Sequence, residues 1–188
     1  MLVHVYAVHM ARLIYTGNIS LDGYMNDADG NFDWAEPTDE VHQFFNDLEK
    51  PIGTHVYGRR LYETMKVWET MPHSGTVMDE YADDWRASSK VVVSSTLDSV
   101  DTPRTTLERS LDFLPALKAS SDRDITIGGP TLGVQALDLV DEVHLLLHPF
   151  VVGGGTPFFA GPFRGAFSLV SSRAFDNGVV HAHYRKDS

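Results

Sequence analysis

The chain has 188 residues and a formal net charge of −11, because 26 Asp and Glu outnumber 15 Lys and Arg. This charge disfavours a nucleic-acid-binding protein, since phosphate backbones call for clustered positive charge. The 43% hydrophobic share excludes a disordered chain, and the lack of cysteine excludes disulfides, thiolate metal sites and cysteine nucleophiles. No apolar run reaches the ~20 residues of a membrane helix. A small anionic ligand held by a few local cations stays compatible with this composition.

The N-terminal segment, residues 1–10, is apolar but lacks Lys and Arg and has no small-residue cleavage site. It is therefore not a typical secretory signal. We expect an N-terminal extension over 1–10 and a single domain over 11–188, a length typical of one domain. Without a signal or an anchor, a cytoplasmic protein is the expectation.

The first half of the chain alternates predicted strands and helices. A buried strand over 12–19 is followed by a polar loop over 20–37, and Thr38 with Asp39 then begins a helix that carries an apolar stripe. Further along, strands are predicted at 54–57 and 91–93, helices after Gly58 and over 79–88, and a loop over 66–77.

The second half continues this alternation and then changes. Strands are predicted at 105–107, 125–127 and 142–150, helices over 111–118 and 132–139, and a loop at 153–155. The last two strands, 167–175 and 179–184, flank Asp176-Asn177-Gly178, and Asn-Gly is a strong hairpin signal. The pattern predicts a three-layer α/β domain with a mainly parallel central sheet and an antiparallel C-terminal hairpin.

Three junctions at predicted strand ends suit a phosphate-bearing ligand. In open α/β sheets ligands bind at the carboxyl ends of strands, where an Arg near a helix start, hydroxyl donors and glycines that allow close approach favour an anion. Taken singly, each junction is a weak signal, because Gly-Gly after a strand is more often a structural turn, and neither G-x-G-x-x-G nor a P-loop is present. Together they predict a nucleotide lying across strand ends. The junctions are Tyr57-Gly58-Arg59-Arg60, Val93-Ser94-Ser95-Thr96 and Ile127-Gly128-Gly129-Pro130-Thr131.

The order of these segments resembles the dihydrofolate reductase fold. It is similar above all to the reductase domain of the bifunctional riboflavin-biosynthesis deaminase–reductase and its stand-alone relatives. The resemblance covers residues 11–185 and implies NADPH as cofactor, hydride transfer to a small heterocycle, and a homodimer. The resemblance is carried by Ile19-Ser20-Leu21-Asp22-Gly23, Tyr57-Gly58-Arg59, Val93-Ser94-Ser95 and Ile127-Gly128-Gly129-Pro130-Thr131-Leu132. The last of these segments is followed by residues 139–143 and Pro149, which also match.

The resemblance also implies which residues hold the cofactor. Arg59, Ser94 and Ser95 resemble the residues that hold the adenosine 2′-phosphate, and an Arg with hydroxyls suits a phosphomonoester. The segment 128–132 resembles the one over the pyrophosphate and nicotinamide. The whole implied set is Thr16, Gly17, Trp34, Gly58, Arg59, Arg60, Ser94, Ser95, Thr96, Ile127, Gly128, Gly129, Pro130, Thr131 and Leu132.

Two acids, Asp22 and Asp39, are the predicted catalytic residues, because protonating an imine needs a nearby acid or an ordered water. The resemblance implies that Asp22 orients substrate or nicotinamide. It also places Asp39 close to the pterin-binding carboxylate of dihydrofolate reductases. Asp22 is equally compatible with an Asp-Gly turn, and Asp39 with a first-turn acid that the helix dipole favours.

Four histidines, His144, His148, His181 and His183, fall on two predicted strands. They include no H-E-x-x-H, and the pattern favours an exposed strand face over a metal site, so we predict no metal.

The function predicted from the sequence is an NADPH-dependent reductase similar to 5-amino-6-(5-phosphoribosylamino)uracil reductase. The alternatives are dihydrofolate reductase and a nucleotide-binding module that has lost catalysis. Predicted partners are a small-molecule substrate and a second copy of the chain, with neither nucleic acid nor membrane. An exposed hairpin edge and the Gly-, Val- and Phe-rich loop at 151–159 favour the homodimer.

Overall fold

The computed structural model describes residues 10–187, so nearly all of the predicted N-terminal extension lies outside the described residues. The strands are β1 (Leu13–Ile19), β2 (Tyr24–Asn26), β3 (Ile52–Gly58), β4 (Ser89–Val93), β5 (Thr105–Glu108), β6 (Asp124–Gly128), β7 (Glu142–Leu147), β8 (Thr156–Pro157), β9 (Phe167–Ala174) and β10 (Val180–Lys186). The α-helices are α1 (Asp39–Glu49), α2 (Arg59–Met65), α3 (Val67–Thr70), α4 (Val77–Ala87), α5 (Leu114–Ser120) and α6 (Pro130–Gln135), and a 3-10 turn spans Asp33–Ala35.

The main sheet has eight strands in the order β5-β4-β3-β6-β1-β7-β10-β9. The first six pair in parallel, and the C-terminal hairpin of β9 and β10 adds antiparallel to β7. Val and Ile fill β4 and β6 because central parallel strands are buried on both faces. The α/β fold and the mixed sheet predicted from the sequence are confirmed.

Helices cover both faces of the main sheet, which gives three layers. On one face Leu114 and Leu132 pack with Leu13 in the largest core cluster. On the other face Trp85 packs with Val92, and Val41 of α1 packs with Leu146. Among the described residues, no helix is long and apolar enough to cross a bilayer.

Several predicted element boundaries are wrong. The loop over 20–37 contains β2 and the 3-10 turn, and β2 exists because it pairs with the distant β8. The loop over 66–77 contains α3, the helix after Gly129 ends at Gln135, and β7 ends at Leu147, two residues before Pro149. Long-range pairing and local capping decide these ends, and neither is visible in an apolar pattern.

The histidine face predicted to be exposed is largely buried. His144, His148 and His181 are 8%, 2% and 3% exposed. The reason is tertiary: the ring of Phe44 on α1 packs against His181 with centroids 4.8 Å apart. The strand pairing also sets His144 beside His183 between layers of the fold.

Candidate functional site

Four neighbouring strands end at one edge of the main sheet. In sheet order they are β4, β3, β6 and β1, and all run in parallel. β4 leads into Ser94, β3 ends at Gly58 and β6 ends at Gly128. β1 runs on to Ile19, but its register with β6 sets Thr16 and Gly17 level with these ends. With roughly 4.8 Å between neighbouring strands, the row spans about 14 Å. The fold therefore brings the three predicted junctions and the Thr16-Gly17 segment of β1 into one line, at the edge where such sheets bind ligands.

The cation and the hydroxyls predicted to bind a phosphate are neighbours. Arg59 is the first residue of α2, and its Nη1 donates to Thr96 Oγ1 at 3.4 Å. Its Nε donates to Glu63 Oε1 at 2.8 Å, one helical turn away. Ser95, Thr96 and Arg60 are exposed, so this end of the row can meet an anion from solvent.

Ser94 differs from its two neighbours because it is buried. Its Oγ accepts from the backbone N–H groups of Thr96 at 3.2 Å and Leu97 at 3.0 Å. These bonds fold the turn after β4. Ser94 thus organises the turn that presents Ser95 and Thr96.

Gly128, the last residue of β6, and Gly129, which follows it, are required as glycines for two different physical reasons. Gly129 adopts φ +89°, a conformation that side chains rarely tolerate, and the nearest atom to a Cβ built on it is 3.9 Å away. A Cβ on Gly128 would lie 2.5 Å from Leu61 Cδ2. Within the described protein, the crowding is therefore at Gly128, whereas Gly129 is required by its backbone conformation. Pro130 follows as the first residue of α6, where its missing N–H costs nothing.

Ile127, Thr131 and Leu132 frame this turn. Ile127 is fully buried in β6 and Leu132 packs into the largest core cluster, so both fix the turn from beneath. Thr131 is exposed at the start of α6 and is the member of the three that a ligand could touch.

Thr16 and Gly17 lie within β1, before the strand ends at Ile19. Thr16 is half-buried, and a Cβ on Gly17 would lie 2.8 Å from Phe158 Cε2. Trp34 sits on the 3-10 turn with its ring edge-to-face against His148, centroids 5.8 Å apart. The indole Nε1 is buried and has no hydrogen-bond partner among residues 10–187. The protein encloses this donor.

The sequence analysis missed Asn18 and His148. His148 Nε2 lies 2.9 Å from Asn18 Oδ1, and burial lowers the pKa of His148, so the ring is neutral. His148 directly follows β7, the parallel neighbour of β1. The rule that ligands gather at carboxyl ends could have singled it out, had the order of the strands been known.

The carboxylate of Asp22 connects two loops. It accepts from Ser20 Oγ at 2.7 Å and from the backbone N–H groups of Val152 at 3.2 Å and Gly153 at 2.8 Å. The hydrogen bond from Ser20 is the largest cause of its lowered pKa, to which those of Gly153 and Val152 add. Asp22 is therefore ionised near neutral pH and fixes the loop after β1 against the loop before β8.

Asp39 is placed differently. It is the first residue of α1 and is exposed, behind the N-cap Thr38, whose hydroxyl accepts from Val41 N at 3.5 Å. Its carboxylate makes no side-chain hydrogen bond within the described part of the chain. Of the two predicted acids, Asp39 is the one whose oxygens remain available to a substrate.

Comparison with known proteins decides the family. The model of the RibD C-terminal domain matches residues 11–181. The chain belongs to the RibD C-terminal domain family. The chain is similar to the uncharacterized protein YyaP of Bacillus subtilis (strain 168), with 28% identity over 181 residues that cover 92% of this chain and 94% of YyaP.

Solved structures show the fold of this RibD C-terminal domain. A candidate riboflavin biosynthesis protein from Shewanella sp. PV-4 is 22% identical with a TM-score of 0.74, covering 94% of this chain and 99% of that one. Dihydrofolate reductase from Enterococcus faecalis, complexed with NADP(H) and RAB-propyl, is 15% identical with a TM-score of 0.68, covering 95% and 98%. The dihydrofolate-reductase-like fold inferred from the sequence is confirmed.

Proposed function

We propose that the protein is an NADPH-dependent reductase that transfers a hydride to a small heterocyclic substrate. The observation that carries the proposal is the line from Thr96 and Arg59 through Gly128-Gly129 to Gly17. Its length of about 14 Å suits an extended dinucleotide better than a single phosphate. Bound NADPH would supply the hydride, and the protein would bind and orient both reactants.

The residues at the two ends of the line fit the two ends of this cofactor. Arg59 with Ser95 and Thr96 offers a guanidinium and hydroxyls to the 2′-phosphate. The backbone at Gly129 can approach the pyrophosphate closely, because the residue has no Cβ and is partly exposed. Thr16 and Gly17 lie beneath the nicotinamide end, with Trp34 at the border.

The substrate in our proposal carries a C=N or C=O group on a pyrimidine or a related heterocycle. Asp39 offers an acceptor to the polar edge of such a ring. Asp22 acts as a positioning residue, because its oxygens are occupied by loop contacts. The exposed first-turn carboxylate of Asp39 also favours a second candidate, dihydrofolate reductase activity.

Turnover with a substrate panel tests the proposal. The purified protein is mixed with NADPH and, in turn, with 5-amino-6-(5-phosphoribosylamino)uracil and dihydrofolate, while nicotinamide absorbance is followed. Oxidation with the pyrimidine supports the first function, and oxidation with dihydrofolate supports the second. Tight NADPH binding without turnover of either compound would mean a binding module. Failure to bind NADPH at all would overturn the proposal.

The homodimer is part of the same proposal. β9 is an edge strand, and Leu169 and Val170 are 57% and 46% exposed on its opposite faces. Phe150, Val151 and Phe159 expose further apolar surface in the adjoining loop region. Edge strands and apolar patches of this kind favour pairing with a second chain. Sedimentation equilibrium should give about twice 20.9 kDa, and a mass near 20.9 kDa would refute the dimer.

A further inference from the structure

Two neighbouring strands place three metal-binding side chains on one face of the sheet. His144 of β7 is directly opposite His183 of β10, and Glu142 lies two residues before His144 on the same face. Glu142 Oε2 is 3.1 Å from His183 Nε2 and 3.9 Å from His144 Nε2. One ligand atom from each of the three residues falls within a span of 4.8 Å.

The hydrogen bonds around the cluster leave its nitrogens available. His183 Nε2 is buried, and despite the short distance to Glu142 it makes no hydrogen bond of acceptable geometry with any residue from 10 to 187. His144 Nδ1 lies 3.0 Å from His181 Nε2. When Nδ1 donates to His181, the lone pair of His144 is on Nε2, the atom that faces Glu142. A buried polar atom without a partner calls for an explanation, and a metal ion supplies one.

We propose that Glu142, His144 and His183 bind a divalent transition-metal ion. Two imidazoles and one carboxylate suit zinc and its neighbours, whereas Mg²⁺ and Ca²⁺ prefer oxygen ligands. Tetrahedral ligands at zinc bond lengths lie about 3.3 Å apart, and the observed 3.1 and 3.9 Å bracket that value. The rings of His144 and His183 are stacked, with centroids 4.1 Å apart. To converge on the ion, the two rings would turn about their side-chain torsions.

Two arginines set the strength of this site. Arg185 donates to Glu142 Oε1 at 3.0 Å, and Arg12 donates to both carboxylate oxygens at 3.2 and 3.3 Å while also pairing with Asp124. The guanidiniums orient the carboxylate, but their charge opposes that of the cation. The bound ion is therefore held weakly enough to be removed by a chelator.

The position of the site defines what the ion does. Glu142 begins β7, and His144 is the register partner of Thr16 on β1, so the cluster lies one strand away from the end of the row proposed to hold the nicotinamide. The ion would join β7 to β10 and so stabilise the C-terminal hairpin. Metal binding is followed by cobalt bands and by the unfolding temperature, so it is measured without NADPH turnover.

Cobalt spectroscopy on the untagged full chain, stripped with a chelator, tests the proposal. We expect one equivalent of Co²⁺ to give visible absorption bands, and Zn²⁺ to displace it. The His181→Phe variant should bind about 10-fold more weakly or worse, since phenylalanine keeps a ring against Phe44 but gives His144 Nδ1 no acceptor. The His183→Gln variant should lose the bands, whereas the exposed control His73→Gln should match the unaltered protein.

A second measurement covers the case in which His183→Gln fails to fold. The unfolding temperature of the unaltered protein should rise with Zn²⁺ and not with Mg²⁺, because only an ion that binds the folded state stabilises it. Either an unchanged unfolding temperature with Zn²⁺ or Co²⁺ bands that persist in a folded His183→Gln variant would overturn the proposal. Persistent bands would mean binding at other histidines.

Discussion

Replacing Arg59 by alanine tests how the protein distinguishes NADPH from NADH. The guanidinium of Arg59 stands beside the hydroxyl of Thr96, where the 2′-phosphate of NADPH would bind. Charge-assisted hydrogen bonds of this kind correspond to about 10- to 100-fold in Kd. The side chain of Arg59 is 50% exposed and its Nε is held by Glu63, so we expect the loss for NADPH to lie near 10-fold. NADH, which lacks this phosphate, should lose little.

Fluorescence titration of both cofactors measures these changes. The Glu63→Gln variant gives a second, opposite test, because it removes a negative charge and leaves only a weaker, neutral acceptor for Arg59, so it should strengthen NADPH binding. Arg123→Ala, an exposed arginine just before the amino end of β6, is the matched control and should change neither affinity. The advantage of NADPH should also shrink as salt is added. Equal losses for NADPH and NADH in Arg59→Ala would refute the assignment of the phosphate site.

Two further predictions concern the glycine turn and a buried acid. Gly129→Val should abolish NADPH binding and cost about 1–3 kcal/mol of stability, since valine is strained at φ +89°. The control is Gly75→Val, which is also at positive φ but on an exposed loop, and it should leave NADPH binding intact. Burial raises the pKa of Glu49 to about 8, and the charge of Asp84 adds to the shift. The folded state therefore keeps a proton that the unfolded state releases, so the contribution of Glu49 to stability is complete below about pH 4.5 and is lost as the pH rises through 8. Urea unfolding near pH 5 and pH 8 should show this loss in the unaltered protein and not in Glu49→Gln. The same pH dependence in the unaltered protein and in Glu49→Gln would contradict the role of Glu49. Normal NADPH binding by Gly129→Val would contradict the role of the glycine turn.

Much of the fold could be predicted because local signals agree with the global structure. Thr38 is the N-cap of α1, Pro115 lies in the first turn of α5, and Asn177-Gly178 forms the turn between β9 and β10. Each of these residues acts within a few positions of itself, through a cap, a fixed φ or a tight turn. Such effects are readable without knowing what the segment packs against.

The candidate site was predicted in part for the same reason. The end of β3, the end of β4 and the Gly128-Gly129 turn are visible as polar or glycine residues after apolar runs. Their alignment follows from the sheet order, which the apolar pattern does not specify. Asn18 and His148 were missed because their contact joins positions 130 residues apart.

The alternation of elements and the residue types at the strand ends can therefore be read along the chain, because both depend on neighbouring residues. Which distant groups meet is visible only in the folded protein. It pairs β2 with β8, turns Asp22 into a contact between two loops, and buries His144 against His183 and Glu142. The physical reason is that burial and ion pairing depend on three-dimensional proximity, and a strand pattern does not specify which strand lies beside it.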